Sequence, residues 1–184
     1  MFLVMKNYYK RISVFSRDNF EEKMYRLDFN NDNVENQIDK AFIQILETSD
    51  CVSYYEKKYS NEGNTHYWFN GCCADNVLNI AFDDVNEEEV KWNNIILKGI
   101  SDRQAELIVK FIEKHKGKNF YISCRAGKSR SQAVARYILD IYGEEYGYNE
   151  KESCRKENPC KTPNINVLTK LKRTYYKKFN IYDE

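Results

Sequence analysis

The sequence lacks a long apolar run, an excess of either charge and any Cys-x2-Cys pair. No run approaches the length of a membrane-spanning helix, and the apolar start at residues 1–5 is too short for the core of a signal peptide. The formal net charge is only +1, from 29 basic and 28 acidic side chains, which gives no general case for binding nucleic acid or a membrane surface. Together these absences predict a soluble, cytoplasmic protein.

Six cysteines are present, but neither disulfides nor zinc is their simplest explanation. A chain of 184 residues can bury a sizeable core without covalent cross-links. The adjacent Cys72 and Cys73 do not have the spacing of zinc ligands. We therefore expect mostly reduced thiols, no metal and no cofactor. A reversible disulfide between Cys72 or Cys73 and Cys124 under oxidation is the alternative to ordinary thiols.

Short β-prone segments alternate with amphipathic helical patterns along the chain. Strands are predicted over four segments, residues 12–15, 41–46, 77–82 and 119–123. Helices are predicted over residues 16–27, from a capping box at residues 101–104 to about His115, over residues 131–142, and from residue 163 onward. The alternation predicts one α/β domain over residues 1–184, with a mostly parallel sheet and a site at the carboxyl ends of its strands.

Three segments have weaker patterns. Residues 86–94 are predicted to form an acidic loop or a short helix, residues 51–70 a helix followed by a loop, and residues 143–161 mostly loop. His66 and His115 are predicted to lie on the surface, and His115 would end a helix, where a cation is mildly favoured.

The stretch at residues 119–142, NFYISCRAGKSRSQAVARYILDIY, contains the candidate site. A strand leads into a loop that holds Cys124, five further residues and Arg130, and a helix follows. The helix N-terminus and successive loop amides would form a nest for an anion. Ala126 and Gly127 let the loop curl tightly, and the Arg130 guanidinium can close over the anion with two N–H groups. The same positive field favours the thiolate of Cys124, and a thiolate beneath a bound phosphate is poised for phosphoryl transfer to sulfur.

This loop, CRAGKSRS, resembles the signature loop of the cysteine-dependent protein tyrosine and dual-specificity phosphatases, which reads Cys, any five residues, Arg, then Ser or Thr. The resemblance implies a three-layer α/β fold and a phosphorylated protein or other phosphomonoester as substrate. It also implies that the Ser131 hydroxyl stabilises the departing thiolate. The residues implied to bind phosphate are Arg125, Ala126, Gly127, Lys128, Ser129 and Arg130. The one departure is Ser123, where the family usually has His.

The resemblance further implies a general acid, which in the family is an Asp on a loop after the strand preceding the signature region. Asp83 and Asp84 occupy that place, and comparison with the family's Trp-Pro-Asp version puts Asp84 on the acid position, with Asp83 as the alternative. A strand-end turn or a helix cap is the structural explanation for either carboxylate. In the implied mechanism Cys124 attacks phosphorus, Asp84 protonates the leaving oxygen, and water then hydrolyses the cysteinyl-phosphate without a metal.

Other stretches resemble a group of small phosphatase-like proteins found in phage and bacterial genomes, namely residues 13–21, 41–45, 76–85 and 158–159 with the final helix. Two rival functions stay open. A non-catalytic phosphate-binding module is suggested by Ser123, because a hydroxyl supplies no cation beside the thiolate. A sulfur-transferase-like or redox enzyme is the third possibility, and the position of Arg130 argues against it.

Overall fold

The computed structural model describes residues 10–49, 67–69, 74–143, 146 and 163–180. The helices and strands that lie wholly within these residues are, in chain order, β1 Ile12–Ser16, α1 Arg17–Arg26, a short 3-10 helix Val34–Asn36, β2 Lys40–Leu46, β3 Val77–Ala81, β4 Glu89–Trp92, β5 Ile95–Lys98, α2 Asp102–Lys114, β6 Asn119–Cys124, α3 Arg130–Tyr142 and α4 Ile165–Phe179.

Four of these strands form a parallel sheet in the order β1-β6-β2-β3. The register places Ser16 beside Cys124 and Leu46 beside Ala81, so the carboxyl ends of all four strands lie along one edge. Connections between parallel strands need a crossover, and α1 lies in the connection from β1 to β2 and α2 in the one from β3 to β6, as the alternating pattern predicted. The predicted α/β class with a mostly parallel sheet is confirmed.

Each face of the sheet packs against helices. On one face, Phe15 and Phe42 meet Phe20 and Met24 of α1 in an aromatic-rich cluster. The alternate residues of the strands face the other way and pack against α2, α3 and α4 in the larger cluster, which includes Ile43, Ile122, Ile108, Val134 and Leu171. Full burial of an aliphatic or aromatic side chain contributes about 1.5–3 kcal/mol, so both faces stabilise the sheet. The sheet therefore lies between two helical layers, which gives the domain its three-layer arrangement.

The helix starts agree with the capping signals in the sequence. Ser16 caps α1, Ser101 and Gln104 form the predicted capping box of α2, and Asn164 caps α4 through its side chain. The exception is α3, because Ser129 makes no side-chain capping hydrogen bond. The first amides of α3 are therefore left open at the end that faces the signature loop.

The prediction for residues 86–94 is wrong. β4 and β5 pair antiparallel as a hairpin through a two-residue turn, in which Asn93 and Asn94 have φ of 46° and 62°. Two successive left-handed residues are what a tight hairpin turn of the I′ type requires, and Asn tolerates them better than most side chains. The Asn-Asn pair between apolar segments was the relevant signal, and the acidic run before it obscured that signal.

The surface position predicted for His115 is also wrong, since this residue is only 2% exposed. Its ring packs on Phe111, with 4.6 Å between centroids, and its Nε2 lies 2.8 Å from the carbonyl oxygen of Asp75. Burial, reinforced by the nearby charge of Lys118, lowers the pKa of His115. The imidazole is therefore neutral near pH 7 and belongs to the core.

The predictions for most of residues 51–70 and 143–161, and those for His66, Cys72 and Cys73, lie outside the described residues. Within the described part of the chain, no helix is long and apolar enough to cross a membrane. The same residues contain no cluster of three or more His, Cys, Asp or Glu side chains that could hold a metal ion.

Candidate active site

Strand β6 carries Cys124 to the carboxyl edge of the sheet, where the signature loop begins. The side chain is a free thiol, and the residue is 3% exposed. Its Sγ lies 3.1 Å from the Oγ of Ser131, which is fully buried in the first turn of α3. The strand and the helix therefore place a hydroxyl beside the sulfur, in the contact that the role implied for Ser131 requires.

The loop between Cys124 and α3 is held from outside through its carbonyl groups. Three loop carbonyls accept hydrogen bonds, Arg125 O from Arg17 N at 3.3 Å, Gly127 O from Gln132 Nε2 at 3.1 Å and Ser129 O from Asn164 N at 3.3 Å. The amides of residues 125–130 donate to no backbone acceptor among the described residues. Carbonyls fixed on the outside leave unpaired N–H groups available to a bound anion.

The backbone of Gly127 has the left-handed conformation expected for a tight curl, with φ of 65°. A Cβ atom here would lie 2.5 Å from Ser16 N and 2.6 Å from Phe15 C. The loop thus lies directly against the carboxyl end of β1, and only a residue without a side chain fits between them.

The Arg130 guanidinium is buried, with the residue 2% exposed, and is fixed at one end. Its Nη1 donates to the carbonyl oxygens of Leu46, at 3.1 Å, and Phe82, at 2.7 Å. Its Nη2 is 3.4 Å from Oε1 of Glu47, while its Nε has no hydrogen-bond partner. A buried N–H without an acceptor is costly, and an anion oxygen in the loop would satisfy it.

Glu47, immediately after β2, is a site residue that the sequence reasoning missed. Its two carboxylate oxygens pair with Nη2 of Arg130 and, at 2.8 Å, with Nη1 of Arg125. The Arg125 side chain is 69% exposed, so that half of the pair contributes little stability, but the carboxylate helps to orient both cations. A polar residue following a buried parallel strand was the available signal.

The two candidate acids have different surroundings. Asp84 is exposed at the mouth of the loop, where its Oδ1 accepts hydrogen bonds from Ser129 Oγ at 2.7 Å and Asn164 Nδ2 at 2.8 Å. Asp83 is buried and accepts from the backbone N–H groups of Thr48, at 3.0 Å, and Lys98, at 2.7 Å. Asp83 therefore links the segment after β2 to the end of β5, whereas Asp84 lies against the signature loop.

The remaining loop residues form the rim of the site. Ala126 and Lys128 are exposed, as is Arg125, and the buried part of the loop is Gly127 and Arg130. Two exposed cations at the rim would attract an anionic ligand.

Ser123, next to Cys124 in β6, is buried at the α1 face of the sheet. A small cavity borders it and Cys124, and the side chains of Arg17, Gln44 and Trp68 contribute to its lining. The cavity therefore lies between α1 and the end of β6.

Comparisons with known proteins leave the family of this chain open. No protein-family model matches the sequence, and no curated protein matches it. Five chains among the solved structures match, including the crystal structure of the human tyrosine phosphatase-like serine/threonine/tyrosine-interacting protein. That match has 17% identity and a TM-score of 0.41, and covers 78% of this chain and 80% of the other. A likeness of this size identifies neither a family nor an activity. The fold and the site define an α/β domain with a buried thiol at the base of a tightly curled loop.

Proposed function

We propose that this chain hydrolyses phosphomonoesters without a metal, through a cysteinyl-phosphate intermediate, as the protein tyrosine and dual-specificity phosphatases do. The observation that supports this most is the signature loop itself. The Cys124 thiol lies at its base, three of its carbonyl groups accept hydrogen bonds, and its amides donate to no backbone acceptor among the described residues. The open Nε of Arg130 adds a charged donor to the same loop.

In the first step Cys124 Sγ attacks phosphorus while loop amides and the Arg130 guanidinium hold the non-bridging oxygens. The donors are fixed before substrate arrives, because the loop carbonyls and Arg130 Nη1 are already bonded elsewhere. Preorganised donors of this kind stabilise the charge that develops in the transition state. Asp84 at the loop mouth gives a proton to the leaving oxygen.

In the second step water attacks the cysteinyl-phosphate and the sulfur leaves. Asp84 takes the proton from water, reversing its first role. Ser131 Oγ, 3.1 Å from the sulfur, donates a hydrogen bond to the thiolate as it departs. Phosphate then dissociates and the thiolate is regenerated.

A phosphorylated protein or another phosphomonoester is the proposed substrate class. The exposed cations Arg125 and Lys128 at the rim favour anionic substrates without selecting among them. The narrower relationship to the small phage and bacterial group, and a location in the cytoplasm, stay predictions from the sequence.

The direct test is hydrolysis of p-nitrophenyl phosphate in excess EDTA by the wild type and by Cys124→Ser. We expect turnover only in the wild type, and rapid acid quenching followed by mass spectrometry should detect phosphate on the peptide containing Cys124. Equal rates for the two proteins would refute the proposal. Activity that EDTA abolishes would replace it with a metal-dependent reaction.

A phosphate-binding module without turnover is the second candidate, and Ser123 is the observation that favours it. Ser123 leaves a cavity beside Cys124 and brings no cation to the thiolate. Ser123→His directs an imidazole toward that cavity, so the comparison of wild type with this variant separates the candidates. Tight binding of a phosphopeptide by a wild type that does not turn over, together with turnover in the variant, would establish the binding module.

A further inference from the structure

Asn164 lies where three segments of the chain meet, and it is only 6% exposed. Its backbone N–H donates to Ser129 O in the signature loop at 3.3 Å, and its Oδ1 caps α4 by accepting from Val167 N at 3.0 Å. Its Nδ2 donates to Asp84 Oδ1 at 2.8 Å and to Val85 O at 3.3 Å. One buried residue, through its backbone N–H and its side-chain amide, therefore connects the signature loop, the Asp84 segment and the last helix.

These contacts make the two oxygens of Asp84 unequal. Oδ1 accepts from Asn164 Nδ2 at 2.8 Å and from Ser129 Oγ at 2.7 Å. Two donors occupy the two lone pairs of a carboxylate oxygen. Oδ2 has no hydrogen-bond partner among the described residues. A proton on Asp84 is therefore directed to Oδ2.

We propose that Asn164 is a positioning residue for Asp84, which holds Oδ1 and so selects Oδ2 as the oxygen that donates the proton. The inference rests on the proposed function. In the first step the sulfur–phosphorus bond forms and the phosphorus–oxygen bond breaks. The electron pair of the broken bond stays on the leaving oxygen, which takes the proton from Oδ2 and leaves Asp84 ionised. In the second step Oδ2 recovers a proton from the attacking water.

A purely structural role as the cap of α4 is the alternative explanation of Asn164. Ser and Asp cap helices about as well as Asn, but neither carries an N–H₂ group. Asn164→Ser and Asn164→Asp therefore keep the cap and remove the donor to Asp84. Asn164→Asp also places a second carboxylate beside Oδ1. If capping is the whole role, Asn164→Ser behaves as the wild type.

The experiment measures kcat/KM for two aryl phosphates, phenyl phosphate and p-nitrophenyl phosphate. Phenol is the poorer leaving group and depends more on general acid catalysis, which contributes about 10²–10⁴-fold in enzymes. We expect the Asn164 variants to lose about tenfold or more with phenyl phosphate and much less with p-nitrophenyl phosphate. Inhibition by inorganic phosphate should not change, because the loop amides are intact.

Two controls isolate the positioning role. Ser101→Ala removes the cap hydroxyl of α2, which is bonded only to Gln104 among the described residues, and should lower the melting temperature without changing the ratio of the two substrates. In an Asp84→Asn background, Asn164→Ser should cause little further loss with phenyl phosphate, because both changes act on one proton transfer.

The outcomes separate this inference from the proposed function. If the wild type hydrolyses both esters and the Asn164 variants keep its substrate ratio, the positioning role is overturned and the phosphatase activity stands. Additive losses from Asn164→Ser and Asp84→Asn overturn it as well. If the wild type hydrolyses neither ester, the proposed function fails and the positioning role fails with it.

Discussion

Gly127→Ala should disable the signature loop while leaving the rest of the domain folded. The substitution adds one methyl group at a residue whose φ is 65° and whose neighbour is the backbone of β1. The new Cβ would lie 2.5 Å from Ser16 N and 2.6 Å from Phe15 C, and neither backbone atom belongs to a flexible side chain. The loop must therefore move away from the strand.

Two effects set the magnitude. A left-handed backbone costs a residue with a Cβ atom about 1–2 kcal/mol relative to glycine. Relief of the contact needs a displacement of about 1 Å, because non-bonded carbon atoms prefer separations of about 3.5–4.0 Å. A misplacement of about 1 Å in a catalytic group can lower a rate about 10²-fold. For a chain of this size each kcal/mol lowers the melting temperature by about 2–4 °C.

We therefore expect Gly127→Ala to lower kcat/KM for p-nitrophenyl phosphate about 10²-fold, with a loss of roughly 2–8 °C in melting temperature. Gly117→Ala is the matched control, since Gly117 also has a left-handed backbone, with φ of 80°, but lies in the turn between α2 and β6. It should lose similar stability and keep its activity. Full activity in Gly127→Ala at an unchanged melting temperature would show that the loop is not confined by β1, and would refute the reasoning.

Four further substitutions test other parts of the site and the core. Asp84→Asn should lower kcat/KM for phenyl phosphate about 10²-fold or more with little change in stability. Asp83→Asn disturbs a buried carboxylate that accepts from two backbone N–H groups, so it should lower the free energy of unfolding in urea titrations by about 1.5–3 kcal/mol. The reverse pattern would assign the acid to Asp83. Arg130→Lys keeps the charge but loses the planar fork, so inhibition by inorganic phosphate should weaken about 10–100-fold, and an unchanged inhibition constant would exclude Arg130 from anion binding. The lowered pKa of His115 means that the native state binds a proton at this imidazole less tightly than the unfolded chain does. The neutral imidazole therefore contributes its full share to the free energy of unfolding above the unfolded pKa of about 6.5. That share is lost as the pH falls below this value. Urea unfolding at pH values between about 5 and 8 should show this loss of stability in the wild type, and His115→Gln should make the free energy of unfolding less dependent on pH. The same pH dependence in the variant and the wild type would contradict the assignment of the effect to His115.

The signature loop was predictable because its chemistry is contiguous in sequence. Cys124 and Arg130 belong to a single strand–loop–helix unit, and the local signals for each part agree. The same applies to α2, whose capping box fixes its start. Local patterns of this kind need no knowledge of which strands become neighbours. The hairpin of β4 and β5 was missed although its signal is also local, because its Asn-Asn turn follows an acidic run that suggested a loop.

Glu47 and Asn164 could not be assigned in the same way, because tertiary structure brings them to the loop. Glu47 reaches Arg130 only because β2 pairs with β6 in parallel, so that both strands end at one edge. Asn164 has the sequence signature of a helix cap, and its Oδ1 does serve that purpose. Its bond to Asp84 depends on where α4 packs, which no local pattern specifies.

The position of Arg130 indicates how the sheet would prepare the proposed anion site. A parallel sheet leaves carbonyl groups without strand partners where its strands end, and buried acceptors need donors. Here the carbonyl of Phe82, just after β3, accepts from Arg130 Nη1, and the carbonyl of Leu46, at the end of β2, accepts from Arg130 Nη1 as well as from Phe82 N. Those bonds fix the plane of the guanidinium before any ligand arrives and leave its buried Nε without a partner. In the proposed function, anion binding would therefore require no swing of this side chain, and the preorganisation that catalysis demands would come from the strand ends.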